Sequence, residues 1–505
     1  MRTKKALLNS LTALLLQLVT VISGLILPRL IISAFGSEIN GAISSITQFL
    51  GYISLIEAGV GGVSRAALYK PLAQQNTDKI NGIVVATEKF FHKIAFIFVV
   101  YSVIIAIIFP YITKNNLTWL FSFFLVLIIA LSTFSQYFFG ITYSILIQAD
   151  QRNYIPNILQ IFTLIINTII SIVLINLKFE IHIVKLASAI IYVIRPIILN
   201  IFVKKKYKIS KKVLPNNNAI KQRWNGLGHH IAFFVHNNTD IFVISIFLGL
   251  NWVSVYSVYY MIASGIKNIV IALIGGVESA FGNMIARNEV DALNLNFNLL
   301  ETLSSILIVL FFTVTGLLLL DFIKIYTAGI NDVQYLILPF GVLMTVSEAL
   351  QCIKSPYNSV ILAAGHYKET QIGAYIEAAI NVIFSIFFVY FLGIIGVMIA
   401  TISATVFRII NYMFYLKKHI LCRKIAVFMK RQMVNLANIL IILGICILIP
   451  FQSVNTYFDW VLKALYIFII AVTVTFLGNI VFYRKEMIAI YNKIKSVFIK
   501  KERNK

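Results

Sequence analysis

The chain is short of charge, of cysteine and of acidic residues, and each shortage excludes a class of protein. Only 12% of its 505 residues are Asp, Glu, Lys or Arg, whereas a soluble globular protein carries roughly 25%. No stretch stays polar for long enough to fold as a soluble domain. The three cysteines, Cys352, Cys422 and Cys446, lack the spacing of a metal or redox site. The loop G-x-x-x-x-G-K-[ST] is missing, so the chain does not hydrolyse a nucleotide by that route. H-E-x-x-H, G-x-S-x-G and a dinucleotide fingerprint are missing too, and no cofactor is expected. Acidic residues number 19 against 43 basic ones, for a net charge of +24.

Apolar sequence takes their place, with 59% of the residues hydrophobic. Apolar runs of about 20 residues recur from end to end, each able to cross a hydrocarbon core about 30 Å thick. They fall near 7–33, 41–67, 91–112, 117–147, 155–176, 181–203, 227–249, 254–284, 297–325, 334–363, 370–391, 394–417, 433–453 and 459–482. The expected fold is an all-α polytopic membrane protein of about fourteen transmembrane helices. The charged start, Met1 to Lys5, resembles that of a signal peptide. The apolar run behind it is too long for one and lacks a small-residue cleavage site, so it counts as helix 1.

Basic residues crowd the N-terminus, the loop around Lys70 and Lys79, "KKKYKISKK" at 204–212, the loop 417–431 and the tail 484–505. In a fourteen-span topology these segments share one side, while the opposite loops hold few basic residues, such as Lys114 and Lys178. That asymmetry places both termini in the cytoplasm, with the chain in the cytoplasmic membrane. It also argues against nucleic acid as a partner. "KKKYKISKK" reads as a topology anchor next to acidic lipid headgroups. Met487, Ile490, Tyr491, Ile494 and Phe498 recur at helical spacing among lysines, a pattern suited to a helix on the inner leaflet.

Internal symmetry organises the chain. "IISAFG" ends at Gly36 and "ISIFLG" at Gly249; "GGVSRA" starts at Gly61 and "GGVESA" at Gly275. "SILIQADQR" starts at Ser144 and "SVILAAGHYK" at Ser359; "INTIISI" starts at Ile166 and "INVIFSI" at Ile380. Four matches in the same order and at a nearly constant spacing are not chance. The domains expected are an N-lobe at 1–205, a basic cytoplasmic linker at 206–226 and a C-lobe at 227–418, followed by two extra helices within 419–482 and an amphipathic tail at 483–505. Six helices per copy is an even number, so both copies enter the membrane the same way and a pseudo-two-fold axis lies along its normal. Two such lobes form transporter architecture, with a cleft that opens to either side.

A charge at the centre of a transmembrane helix costs roughly 2.5–3.5 kcal/mol, so it marks a cavity, a partner or a function. Glu57, Asp240, Lys267 and Glu348 lie deep in their spans, and Arg195 and Arg408 lie in the inner half. Arg29 and Arg65, near span ends, are placed either for snorkelling or for a cavity. In "GHHIAFFVHNNTDIFVISIFLGL", His229, His236 and Asp240 share one helix stripe. No matching His or Cys pair completes a zinc site, and His236, Asn237 and Asp240 are expected to line the cleft. Asp240 is the first candidate for ion coupling through H+ or Na+, with Glu57 and Glu348 as alternatives.

"FGSEINGAISSITQFLGYISLIEAGVGGVSRA" at 35–66, "NNTDIFVISIFLGLNWVSVYSVYYMI" at 237–262 and "ILAAGHYKET" at 361–370 resemble the polysaccharide transporter family. These are oligosaccharide flippases of the multidrug/oligosaccharidyl-lipid/polysaccharide superfamily. The resemblance implies translocation of undecaprenyl-diphosphate-linked oligosaccharide for capsule, exopolysaccharide or O-antigen export. It also implies a cationic cavity for the diphosphate. Lys267, Arg29 and Arg65 match its cationic positions, and Arg408 and Arg195 are further candidates. Helices 13 and 14 would shape a groove for the polyprenyl tail, and membrane lipids and a polysaccharide polymerase are the implied partners. Competing readings are a lipid II flippase or a drug/cation antiporter of the same superfamily. A membrane polymerase or acyltransferase is a further rival, disfavoured by short outer loops and by a repeat it has no use for.

Overall fold

The computed structural model describes residues 2–113, 116–210, 213–216, 227–275, 278–421, 423–449 and 453–492. Lys114, Cys422, most of the basic linker, the tail beyond 492 and the side chains of His229 and His230 lie outside this description.

Every regular element among the described residues is helical. The first repeat forms α1 (Arg2–Phe35), α2 (Ser37–Gly51), α3 (Ser54–Ala73), α4 (Thr77–Ile112), α5 (Trp119–Ser135), a π-turn (Gln136–Gly140), α6 (Ile141–Ala149), α7 (Tyr154–Asn176) and α8 (Ile181–Tyr207). The second forms α9 (Leu227–Phe247), α10 (Leu250–Ile274), α11 (Glu278–Ala286), α12 (Val290–Tyr326), α13 (Leu338–Ala363), α14 (Tyr367–Leu392) and α15 (Ile394–His419), and α16 (Ile425–Leu448) and α17 (Tyr457–Phe482) follow. Side-chain caps set several starts: Asn76 accepts from the Lys79 amide, Thr118 from Phe121, and Thr456 forms a capping box with Asp459.

Among the described residues 11 segments are long and apolar enough to cross a membrane, so the chain is a multi-pass membrane protein. Leu7, Leu11, Leu14 and Leu18 of α1 are all more than half exposed, as lipid-facing residues are. The remaining expected spans correspond to the α2–α3 pair, α9 and α13. They carry Glu57 and Arg65, His236 and Asp240, and Glu348 and Lys354, and α9 is apolar over Ile231–Phe247.

The repeat reappears in the backbone. Among the described residues, eight of the ten left-handed ones form pairs: Gly36 (φ 88°) and Gly249 (96°), Gln75 (53°) and Asn288 (56°), Gln151 (58°) and Gly365 (73°), Lys178 (60°) and Gly393 (57°). Each pair is separated by the spacing of the sequence motifs. A buried contact repeats too. Tyr143 donates to Glu88 at 3.1 Å, and Tyr357, its counterpart in the second repeat, donates to Glu301.

Packing divides the chain into two compact units, Met1–Ser257 with the loop Gly329–Val333, and Val258–Ala328 with Gln334–Lys505. This is a boundary of packing, whereas the repeat is a correspondence of sequence, and the two need not coincide. In the first unit α2 is fastened to α9 and the head of α10. Ser45 and Ser245 hydroxyls lie 2.7 Å apart, Asn40 donates to Ser254 at 2.8 Å, and Gln48 donates to Asn238. Only glycine fits at 41, where a Cβ would run into the Leu250 carbonyl. The Asp332 carboxylate caps the start of α2, accepting from the Ser37 amide at 2.6 Å and its hydroxyl at 2.7 Å.

In the second unit, buried charge pins α16 to the bundle. Glu301 of α12 meets Arg423 at 2.6 Å and Arg431 at 3.3 Å, and Arg431 also donates to Thr302. Lys463 of α17 pairs with Asp321 of α12 at 2.7 Å, and the Trp460 indole donates to the Leu318 carbonyl.

Candidate functional site: a polar cavity in the first unit

A cavity of about 1310 Å³ lies wholly within the first unit, walled by α1, α3, α5 to α8 and the π-turn. Its charged lining is Glu57, Arg65 and Arg195, three of the residues singled out in the sequence. The other polar lining is amides and hydroxyls, among them Asn9, Ser54, Thr133, Ser144, Gln148, Asn157, Gln160 and Tyr192.

Both arginines are held by neutral acceptors. Arg65 Nη1 donates to Gln148 Oε1 at 3.1 Å, and Arg195 Nη2 to Gln136 Oε1 at 3.5 Å. Neither has a carboxylate partner among the described residues. An amide fixes the direction of a guanidinium without cancelling its charge, so the cavity keeps two positive sites able to grip an anion. Glu57 accepts from the Tyr137 hydroxyl at 2.9 Å.

The π-turn explains how Gln136 and Tyr137 serve the same cavity. In an α-helix neighbouring side chains diverge by about 100°. Here the Ile141 amide donates to the Gln136 carbonyl five residues back, which widens the turn and changes where these side chains point. Gly140 permits the close approach of α8, since a Cβ there would stand 2.6 Å from the Pro196 Cβ.

One end of the cavity is clasped. Asp150, just beyond α6, receives Lys5 Nζ of α1 at 2.9 Å, Arg152 Nε at 2.6 Å and the Tyr207 hydroxyl of α8 at 2.5 Å. Burial pushes its carboxyl up, but the bonds from Tyr207 and Lys5 and the Arg152 charge outweigh that and hold it below the usual carboxylate range. Asn9, one turn along α1, donates to the Gln151 carbonyl and accepts from the Tyr154 amide.

The other expected residues lie elsewhere. Arg29 is half-buried in α1 and is not part of the cavity lining. In α9, His236 and Asp240 are buried, and the Asp240 carboxylate accepts from Tyr256 at 3.0 Å. Asn237 is exposed and donates to the Phe233 carbonyl one turn back. In the second unit Lys267 and Glu348, expected to do different work, form one ion pair at 2.6 Å. Arg408 is 1% exposed. It meets Glu377 at 3.4 Å, and Lys354 holds the other Glu377 oxygen at 2.8 Å.

Arg195 and Arg408 occupy the same place in the repeat, in "YVIRPII" and "ATVFRII". Their surroundings differ by one acid. Glu377 neutralises Arg408, whereas the repeat position of Glu377 in the first unit holds Thr163. Sequence reading missed Gln136, Tyr137, Gln148 and the amide stripe Asn153, Asn157, Gln160, although that stripe has helical spacing.

No protein-family model matches the chain, and no curated protein matches it. Among solved structures it is similar to the lipid II flippase MurJ in an inward closed conformation, with a TM-score of 0.71 at 16% identity over 95% of this chain and 100% of that one. It is also similar to the MATE multidrug transporter DinF-BH, with a TM-score of 0.57 at 16% identity over 82% of this chain and 96% of that one. An inward-facing multidrug-resistance MATE transporter of the MOP superfamily gives a TM-score of 0.56 at 16% identity over 79% and 95%. The chain thus has the all-helical fold shared by the MurJ lipid II flippase and the MATE transporters.

Proposed function

We propose that the chain is a flippase that moves an undecaprenyl-diphosphate-linked oligosaccharide from the inner to the outer leaflet of the cytoplasmic membrane, by alternating access, for polysaccharide export. The observation that carries this reading is a large amide-lined cavity in which Arg65 and Arg195 are anchored by glutamines and keep their charge. Guanidinium groups match phosphate oxygens bidentately. Amides and hydroxyls match sugar hydroxyls, and the half-buried Tyr192 offers a face for a sugar ring. A volume of about 1310 Å³ exceeds the roughly 300–1,000 Å³ of a drug-sized site, which favours a multi-sugar head group over a drug. The polyprenyl tail stays in the bilayer, against a groove shaped by α16 and α17. Glu57, in the same cavity, is the carboxylate best placed to link H+ or Na+ to cargo, with Asp240 as the alternative. Both termini are cytoplasmic in this reading, and a polymerase receives the product.

Lipid II is a second reading, with the same carrier and a different head group. The likeness to its flippase over 95% of the chain is the observation in its favour.

The test measures protein abundance and leaflet distribution of glycolipid in the same cells. With Arg65→Ala or Arg195→Ala, abundance stays normal and lipid-linked oligosaccharide accumulates on the inner leaflet. Normal outward transfer in both variants would remove the cavity from the mechanism. Accumulation of lipid II instead would select the second reading.

A further inference from the structure

The clasp at Asp150 has the composition of an occupied anion site. One carboxylate is surrounded by Lys5, Arg152 and the Tyr207 hydroxyl, none farther than 2.9 Å. Lys5 also donates to the Asp150 carbonyl at 2.9 Å. Lys206, on the last turn of α8, lies within electrostatic reach of Lys5, Arg152 and Asp150. Two cations therefore grip one acid with a third nearby, and the side chains in the pairs are only 21–27% exposed. This is a formed cradle, not a scatter of surface lysines. Among the described residues the same turn of the second repeat has no such cradle. Gly365 stands at the place of Gln151, no acid is adjacent, and His366 bonds Tyr415 at 2.9 Å.

The position of the cradle matters as much as its charge. It joins the start of α1, the α6–α7 turn and the end of α8, and each of these elements lines the cavity just beyond it through Asn9, Asn153 or Leu199. By the charge asymmetry of the loops this is the inner-leaflet end, where the diphosphate of a lipid carrier lies.

We propose that Lys5, Arg152 and Tyr207 form the receiving site for a lipid diphosphate at the inner leaflet, with the Asp150 carboxylate as a built-in pseudo-ligand that the diphosphate displaces. The site rests on the reading of the chain as a carrier of lipid-linked diphosphate, and it adds a stage ahead of Arg65 and Arg195. A dianionic or trianionic head group outcompetes a single carboxylate for two cations. Its arrival frees Asp150 and loosens the bond between α1 and the α6–α7 turn, at the entrance to the cavity.

Displacement makes the sign of the Asp150 effect diagnostic. A carboxylate that merely supports the fold weakens binding when it is removed; a competing pseudo-ligand strengthens it. The experiment uses the full chain in nanodiscs of neutral lipid, with undecaprenyl diphosphate as the probe and inorganic pyrophosphate as a parallel one. Asp150→Asn is expected to bind undecaprenyl diphosphate about tenfold more tightly than wild type, the size of one charged hydrogen bond. Lys5→Ala combined with Arg152→Ala is expected to bind about tenfold more weakly or not at all. Thermal unfolding of each variant identifies any that has failed to fold. For Asp150→Asn a folded variant with equal or weaker binding overturns the proposal, as does wild-type affinity in the double variant. The same ranking with pyrophosphate assigns recognition to the diphosphate alone; a ranking seen only with the lipid assigns it to diphosphate at the membrane surface. If the ranking holds while the protein moves no lipid-linked oligosaccharide, the cradle stands and the flippase reading falls.

Discussion

Arg195 and Arg408 offer a paired perturbation in which one repeat position has two opposite consequences. Arg408→Ala removes a fully buried guanidinium that donates to the Thr370 carbonyl at 3.1 Å and to Asn411 at 3.2 Å, and that lies 4.2 Å from the Tyr412 ring centre. It also takes from Glu377 one of its two cations and leaves Lys354. Breaking a buried pair from one side costs about 3–5 kcal/mol, and the retained lysine puts this case at the lower end. Arg195→Ala removes a half-buried side chain whose bond to Gln136 is 3.5 Å long, so its stability cost stays below about 1 kcal/mol. Its loss falls on cargo instead, as one charged hydrogen bond of about 1.5–3 kcal/mol, or tenfold and more in affinity. Thermal unfolding in detergent and transport at matched protein abundance separate the two. Arg408→Ala should unfold early, and Arg195→Ala should keep its unfolding midpoint and lose transport. Equal destabilisation by both variants would refute the reasoning, because it would mean that Arg195 is structural too.

Lys267→Ala should destabilise by about 3–5 kcal/mol because Glu348 stays buried without its cation. Changing both residues to leucine should restore most of the unfolding midpoint, and a single variant as stable as wild type would contradict the pair. Gly41→Ala drives a Cβ into the Leu250 carbonyl and should cost about 3 kcal/mol, the upper end for overpacking. Chemical denaturation in detergent measures it. The lowered pKa of Asp150 has a defined sign: its stabilisation is complete above the ordinary carboxylate range and is lost as pH falls through the lowered value. Wild type and Asp150→Asn should therefore converge in unfolding midpoint on acidification, and a gap that persists in acid would count against the clasp.

The spans were legible because length and apolarity alone select them. The spans that carry Glu57, Asp240 and Glu348 were legible from the apolar residues around those charges. The repeat was legible from short motifs, and its left-handed turns follow them. The pairing of helix faces was not. Lys267 and Glu348 are far apart along the chain, and nothing in periodicity says which faces of α10 and α13 meet. The π-turn was hidden too: no residue pattern over 136–140 marks it, and the close approach of Gly140 to Pro196 is a tertiary fact. Arg195 and Arg408 look alike along the chain, and only the packing of α14 on α15 brings Glu377 to one of them.

Photocrosslinking from within the cavity tests the central claim most directly. Benzoylphenylalanine replaces Thr133, which lines the cavity of the first unit, and separately Asn411, the neighbour of Arg408 in the second. Cells making lipid-linked oligosaccharide are then irradiated. The account predicts a glycolipid adduct from position 133 that disappears when Arg65 and Arg195 are both changed to alanine, and none from position 411. An adduct from 411 alone, or one from 133 that survives loss of both arginines, would contradict it.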